Sequence, residues 1–394
     1  MRRAAVLWVG VVVVLLCAIG AWVLGSSAER PRVRTRLSLA ATLGGGATAG
    51  YARAVAPRAL EFPRDHGPHP EYRTEWWYFT GNLETPAGRR FGYQLTFFRS
   101  ALAPDPPRRL SAWATNQVYM AHFALTDAAG ERFHHFERLG RGALGLAGAR
   151  AEPFRVWLED WTAEGAGPND RTHLRAAEAG VTIDLTLTRI KPIALHGDRG
   201  LSQKSAEAGN ASYYYSLTRL ESQGTITLGS AAFPVRGLSW MDREWSTSAL
   251  GPAQAGWDWF ALQLADGRDL MVYRLRLRDG TIDPFSNGSL VAADGTVRRL
   301  ARDDVAIDVG ETWQSPRDGT RYPGRWRLRV PNEQLDLDVR PILADQELDL
   351  SFRYWEGAVD ARAADGDGGV RGRGYVELTG YGHARGSSQH ASGQ

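Results

Sequence analysis

The residues best equipped for chemistry lie in Gly237–Ser246, where Trp240, Met241, Asp242, Arg243, Glu244 and Trp245 follow one another. Strand alternation puts Trp240, Asp242 and Glu244 on one face and Met241, Arg243 and Trp245 on the other. A carboxyl group walled in by aromatics has its pKa raised and can act as a general acid near neutral pH. The same rings stabilise a developing cation through their π faces. The structural alternative is that Asp242 or Glu244 pairs with an arginine where two domains join, since perturbed carboxylates serve both purposes. Tyr213 and Tyr215 supply hydroxyls on one face of the preceding strand, and Glu75 is a third carboxylate. His122, between Ala121 and Phe123, is either a hydrogen-bonded interior histidine or one that points into a pocket. His66 and His69 have a spacing that suits a metal, but Pro68 and Pro70 break any helix that would bring them together, so a loop is expected. The sequence lacks a Gly-x-Ser-x-Gly elbow, a phosphate loop and a His-Glu-x-x-His motif. No metal and no cofactor is expected.

Strands must position these groups. Tyr72–Arg99 reads as a hairpin: an aromatic run through Trp76, Trp77, Tyr78 and Phe79, a turn at Pro86–Gly88, then Phe91–Arg99. Val181–Thr188 alternates cleanly, and long helical periodicity is nearly absent after residue 60. A version of the hairpin recurs about 180 positions later, where Trp257, Asp258, Trp259 and Phe260 lie on Trp76–Phe79 and Tyr273 lies on Tyr93. Farther on, Ile183–Leu185 resembles Leu335–Leu337, and Trp240–Asp242 resembles Tyr375–Glu377. The shared order predicts an all-β chain of two tandem barrel or sandwich domains, 61–245 and 246–385, with a disordered tail at 386–394. Glu75 and Trp77 have no like counterpart in the second copy, which has Gly256 and Asp258 there. They are therefore candidates for function peculiar to the first.

The chain has 394 residues, 43% of them hydrophobic and 23% charged, which is an ordinary globular composition. A net charge of +3 without long basic runs argues against nucleic acid as a partner. The single cysteine, Cys17, lies in the leader, so the rest of the chain has neither disulfides nor a thiol nucleophile. Arg2 and Arg3 before the apolar run 4–25 fit an export signal. It is either cut at the small residues Ser26–Ala28 or kept as an anchor, since its length is near the ~20 residues that span a bilayer. Both outcomes place the bulk in the periplasm or another extracytoplasmic space. Residues 29–60, rich in Ala, Arg, Gly and Ser, read as a flexible linker.

The runs Glu75–Leu83, Gly92–Arg99, Asn210–Ser216 and Trp240–Glu244 together resemble the AttH/CrtC-type lipocalin-like family over roughly residues 60–385. The resemblance implies two packed lipocalin-like β domains. Members have been called predicted secreted hydrolases, and relatives include carotenoid 1,2-hydratases and fungal cyclases acting on polyene intermediates. Many bacterial members are similar to exported proteins paired with ABC transporter permeases. In the hydratases a His-x-Trp pair and a later Tyr-x-Asp pair are implicated in the chemistry. Asp242 matches the Asp, Trp240 stands where the Tyr would be, and Tyr213 and Tyr215 fall near the His-x-Trp pair. Only the carboxylate is kept, which points away from carotenoid hydration as such.

The expectation is an exported protein that binds a hydrophobic or amphipathic small molecule in an aromatic cleft between or within its domains. As an enzyme it would use Asp242 as general acid, with Glu244 or a Tyr213 or Tyr215 hydroxyl orienting it or water. Glu75, Trp76, Trp77, Trp240 and His122 would shape the substrate pocket. The rivals are a non-catalytic carrier handing a lipophilic molecule to an ABC transporter permease, and a structural envelope protein whose aromatics are only core.

Overall fold

The computed structural model describes residues 48–106, 108, 110–165, 170–248, 250–364 and 370–381. The leader, the linker up to residue 47 and the tail lie outside the described residues. Three short 3-10 turns are the only helical segments among the described residues, and strands make up most of the rest.

The first sheet holds β1 (Thr74–Glu84), β2 (Arg90–Ala101), β3 (Gln117–Asp127), β4 (Arg132–Arg141), β5 (Ala147–Arg150), β6 (Arg155–Leu158), β7 (Trp161–Gly165), β8 (Arg171–Glu178), β9 (Val181–Arg189), β10 (Ala194–Leu195), β11 (Leu201–Gln203), β12 (Ala211–Leu228) and β13 (Ala231–Ser246). The second holds β14 (Gln254–Leu264), β15 (Asp269–Leu277), β16 (Asn287–Val291), β17 (Val297–Ala301), β18 (Ala306–Gln314), β19 (Arg321–Val330), β20 (Leu335–Pro341), β21 (Glu347–Asp349), β22 (Arg353–Ala363) and β23 (Val370–Leu378).

Both sheets follow one path. The first runs β4-β3-β2-β1-β13-β12-β9-β8-β7-β6-β5 and the second β17-β16-β15-β14-β23-β22-β20-β19-β18. In each, the last strand returns to pair with the first, and the expected repeat is visible as topology. The first sheet is longer by β5 and β6. Its β12 is a single long strand with a bulge between Leu217 and Leu220.

Each sheet curls around its own core. Trp77, Phe79, Phe97, Tyr213, Tyr215, Met241 and Trp245 fill the first, and Phe260, Trp326, Trp355, Val359 and Val376 fill the second. Residues 48–60 differ from the expected flexible linker. Ala54 is buried in the first core, the Tyr51 hydroxyl donates to the Ala101 carbonyl at 2.9 Å, and Leu60 packs against the core edge.

The outer faces of the central strands then meet. Tyr78, Tyr214 and Trp240 from the first sheet pack with Trp259, Met271, Tyr273, Ala358 and Tyr375 from the second. Two amide contacts repeat across the junction in mirrored roles: Asn82 Nδ2 donates to the Gly374 carbonyl at 2.9 Å, and Gln263 Nε2 donates to the Ser239 carbonyl at 2.9 Å. Ion pairs close the rim. Arg90 holds Asp360 with two bonds of 3.0 and 2.7 Å, while Asp269 accepts from Arg219 at 2.6 Å and Lys191 at 2.8 Å. The sheets approach so closely at Gly92 that a Cβ there would sit 2.5 Å from Ala358 Cβ.

Candidate active site between the two sheets

Register builds the site. On the outer face of the first sheet one row crosses five strands: His122, Thr96, Tyr78, Asp242 and Ser216 are successive cross-strand neighbours. The second sheet presents the equivalent row, Asn287, Tyr273, Trp259, Glu377 and Glu356. Asp242 and Glu377 thus occupy corresponding places, each opposite an aromatic residue of the first strand of its sheet. The rows face each other, and Tyr78 meets Trp259 edge to face with ring centroids 5.2 Å apart.

Between them lies a cleft lined by Trp76, Tyr78, Phe98, Tyr214, Trp257, Trp259, Tyr273 and Tyr354, with Gln94, Lys204, Asp242, Glu244, Glu356 and Glu377 as its polar groups. Its empty volume is about 710 Å³ including the open mouth. Rings from both sheets crowd it closely, as Tyr78 and Trp259 do, so it is a slot that suits a slim or flat ligand. Trp76 and Trp257, equivalent residues of the two hairpins, are half-buried at the entrance.

Asp242 is the best-held acid. Its carboxylate accepts from the Tyr214 hydroxyl at 2.5 Å, from Trp240 Nε1 at 2.6 Å and from the Ser216 hydroxyl. Burial outweighs these three donors, and with the nearby charge of Glu244 it pushes the Asp242 pKa up to about 7. Behind it, His196 Nε2 lies 2.5 Å from Ser216 Oγ and Nδ1 lies 2.9 Å from Ser289 Oγ. Since Ser216 gives its one proton to Asp242, the His196 Nε2 carries hydrogen and Nδ1 accepts from Ser289. Burial, with Lys204 nearby, lowers the His196 pKa to about 3, so the ring is neutral.

Glu244 lies beside Asp242 and is neutralised by Lys204, whose Nζ is 3.2 Å from Oε1; it also accepts from the Ser212 hydroxyl. Lys204 sits 4.2 Å over the Tyr273 ring. Burial disfavours its charge, but Glu244 and Tyr273 more than offset this and hold it protonated. In the second sheet, burial together with the neighbouring Asp242 and Glu244 raises Glu377 to about 7, although Trp257 Nε1 donates to it at 3.2 Å. Glu356 is fully buried and pushed far above the usual carboxylate range by burial and then by Glu377.

The structure sorts the sequence candidates by strand parity. Trp76, Asp242 and Glu244 line the cleft, and Trp240 backs it by bonding Asp242. No arginine is paired with Asp242 or Glu244 among the described residues. His122 lies in the same row without lining the cleft. Its Nδ1 is 2.7 Å from the Tyr354 hydroxyl and its Nε2 is 3.2 Å from Glu137.

Four expectations require correction, because these side chains point into the first core. Glu75 is fully buried between Arg99 and Arg243, which hold its carboxylate well below the usual range against the cost of burial. Trp77 lies under the Arg243 guanidinium at 4.0 Å and donates to the His66 carbonyl. Tyr213 donates to the Ala56 carbonyl at 2.8 Å, and Tyr215 lies 2.6 Å from His66 Nδ1. The hydroxyl that reaches Asp242 is that of Tyr214, between them.

Sequence reasoning missed Tyr214, His196, Lys204, Glu356 and Glu377. The repeat held a signal for Glu377, which it laid on Asp242. His196 directly follows the short β10 and Lys204 the short β11, in connecting segments where no periodicity marks them.

A family model described as AttH-like matches residues 53–381. The crystal structure of an AttH protein from Nitrosomonas europaea superposes with a TM-score of 0.74 at 37% identity, covering 84% of this chain and 99% of that one. Kievitone hydratase from Nectria haematococca shares the fold, with a TM-score of 0.63 at 14% identity over 84% of this chain and 95% of that one. In sequence, the kievitone hydratase of Fusarium solani subsp. phaseoli is 22% identical over 210 residues, which make up 52% of this chain and 58% of that enzyme. The match therefore spans little more than half of that curated relative.

Proposed function

This chain belongs to the AttH-like family, and on that premise we propose that the cleft binds a slim hydrophobic or amphipathic molecule and protonates it from Asp242. The observation that carries this reading is an acid held near neutrality, bonded by Tyr214, Trp240 and Ser216, at the wall of an aromatic slot. The chemistry is hydratase-like. The Asp242 proton goes to one carbon of a double bond, and the cation formed on the other carbon is stabilised by the faces of the surrounding rings. Water adds to that carbon and returns its extra proton to the carboxylate, so Asp242 is restored and water is the one co-reactant consumed. Tyr214 and Ser216 stabilise the carboxylate while it is ionised, and neutral His196 fixes the Ser216 hydroxyl. Lys204 keeps Glu244 from competing for the proton.

We further place the protein outside the inner membrane, because of its apolar leader. Transfer of a lipophilic molecule to an ABC transporter permease is the non-catalytic form of the same proposal.

Tryptophan fluorescence against a panel of isoprenoids, phenolics and lipids tests the cleft, and Asp242→Asn tests the acid. Expected is an unchanged dissociation constant with turnover lost. Equal loss of folding and binding in Asp242→Asn would make the acid structural, while binding without turnover in the wild type would leave the carrier.

A further inference from the structure

The mechanism above uses Asp242 and leaves the opposite wall of the slot unexplained. Glu356 and Glu377 are direct cross-strand neighbours on β22 and β23. Like charges so placed repel, and burying them adds to the cost. Neither Glu356 oxygen has a well-aligned hydrogen-bond partner, with only the Tyr78 and Tyr354 hydroxyls close beside them, although the residue is only 1% exposed. Gln94 Oε1 is buried and unpartnered as well, and the buried Tyr78 and Tyr375 hydroxyls have only the poorly aligned neighbours Glu356 and Thr126. Glu356, Gln94 and Tyr78 line the same cleft. Gln94 Oε1 is an acceptor, both Glu356 oxygens accept once its proton has left, and the hydroxyls can accept too. Asp242, Glu356 and Glu377 have no cationic partner among the described residues, since Lys204 is paired with Glu244.

We infer that the ligand of this cleft carries a protonated amine, which enters the pocket formed by Glu356, Glu377 and Gln94 while its apolar chain lies along Trp76, Phe98 and Trp257. An ammonium group brings N–H donors for the orphan acceptors and a charge for the paired carboxyls. The indole and phenol faces around it attract a cation further. Water satisfies such hydrogen bonds but supplies no charge, and a carboxylate or phosphate ligand would meet repulsion. The groups facing Glu356 are Tyr78, Tyr354, Tyr375 and Glu377, and those acting on Glu377 are Trp257, Asp242 and Glu244. None of them is cationic. Binding of a cation therefore lowers the proton affinity of both glutamates and releases protons. This identification rests on the cleft being a ligand site, as proposed above, and adds the charge of what fills it.

Titration of the full chain with n-decylamine, n-decanol and decanoate at about pH 8 separates the two. The amine should bind at least about ten-fold tighter than the alcohol, with decanoate weakest. Calorimetry in buffers of different ionisation enthalpy should show proton release with the amine alone. Glu356→Gln and Glu377→Gln, each checked for an unchanged melting curve, should remove the amine's advantage and leave decanol binding as it was. If decanol binds as tightly as decylamine, or the advantage survives in both variants, the cationic ligand is refuted while the cleft stands. If none of the three quenches the cleft tryptophans, both readings fall.

Discussion

Replacing Glu75 with Gln removes the carboxylate that two buried guanidiniums share. Arg99 and Arg243 are at most 1% exposed and Glu75 is fully enclosed, so neither arginine can turn to solvent for compensation. Arg99 also donates to the carbonyls of His69 and Tyr72, and Arg243 to that of Gly67, which fixes both in place. Removing one partner of a buried ion pair typically costs about 3–5 kcal/mol, because the charge left behind is uncompensated. The amide keeps one acceptor, so the lower half of that range is expected for Glu75→Gln and the upper half for Glu75→Ala. The measurement is equilibrium urea unfolding followed by tryptophan fluorescence, alongside ligand titration at the cleft. Stability should fall and the dissociation constant should not move, since Glu75 points away from the slot. The pH dependence has a definite sign. The folded pKa is depressed below the ordinary glutamate value, so the stabilisation is present above about pH 4.3 and is lost as pH falls below it. A loss under about 1 kcal/mol, or a change in ligand affinity with stability intact, would refute this placement of Glu75.

Ser216→Ala should raise the Asp242 pKa above about 7, because a donor to the carboxylate disappears. A shift of about one unit or more is expected, read from the infrared carbonyl band of the protonated acid by difference from Asp242→Asn. Asp242 binds its proton more tightly folded than unfolded, so its contribution to stability declines as pH rises from about 4 through about 7. Asp242→Asn should flatten that decline in a melting series. Gly92→Ala should cost about 1–3 kcal/mol by forcing the sheets apart. Ala358→Gly should rescue it, and a neutral Gly92→Ala would mean that the sheets can slide.

Much of the fold was legible because period-2 alternation and a repeated hairpin are both written in residue types. The two domains were visible as one order of aromatic landmarks, and that order survives as one strand path followed twice. The site was legible only in part. Alternation in Gly237–Ser246 gathers Trp240, Asp242 and Glu244, yet it does not say which face is the outer one. That depends on the pairing register, where a step of one residue exchanges the faces. On β1, β12 and β13 the even-numbered residues at the centre face the slot. Hence Tyr214 belongs to it, while Glu75, Trp77, Tyr213 and Tyr215 do not. The absence of a counterpart for Glu75 and Trp77 in the second copy has a core explanation. Asp258, at the position of Trp77, is buried in the second sheet and bonded by Arg274, Arg276 and Tyr381. The two interiors solve their polar packing differently. Lys204 and His196 could not be assigned, since connecting segments carry no periodicity.

The return of each last strand to the first has a kinetic consequence. Tyr78 pairs with Asp242 and Trp259 with Glu377, so the middle of each wall is joined across most of its sheet's length in sequence. Non-local pairings of this kind make β proteins slow to fold, because the loop must close before its contacts stabilise it. During synthesis the Tyr72–Arg99 hairpin can form early, but β1 has a bare edge until β13 emerges, and β14 until β23 does. Asp242, Glu244 and Glu377 arrive with those closing strands. A growing chain therefore has its aromatic walls before it has a slot, and Glu377 completes the site only when the last strand of the second sheet has been made.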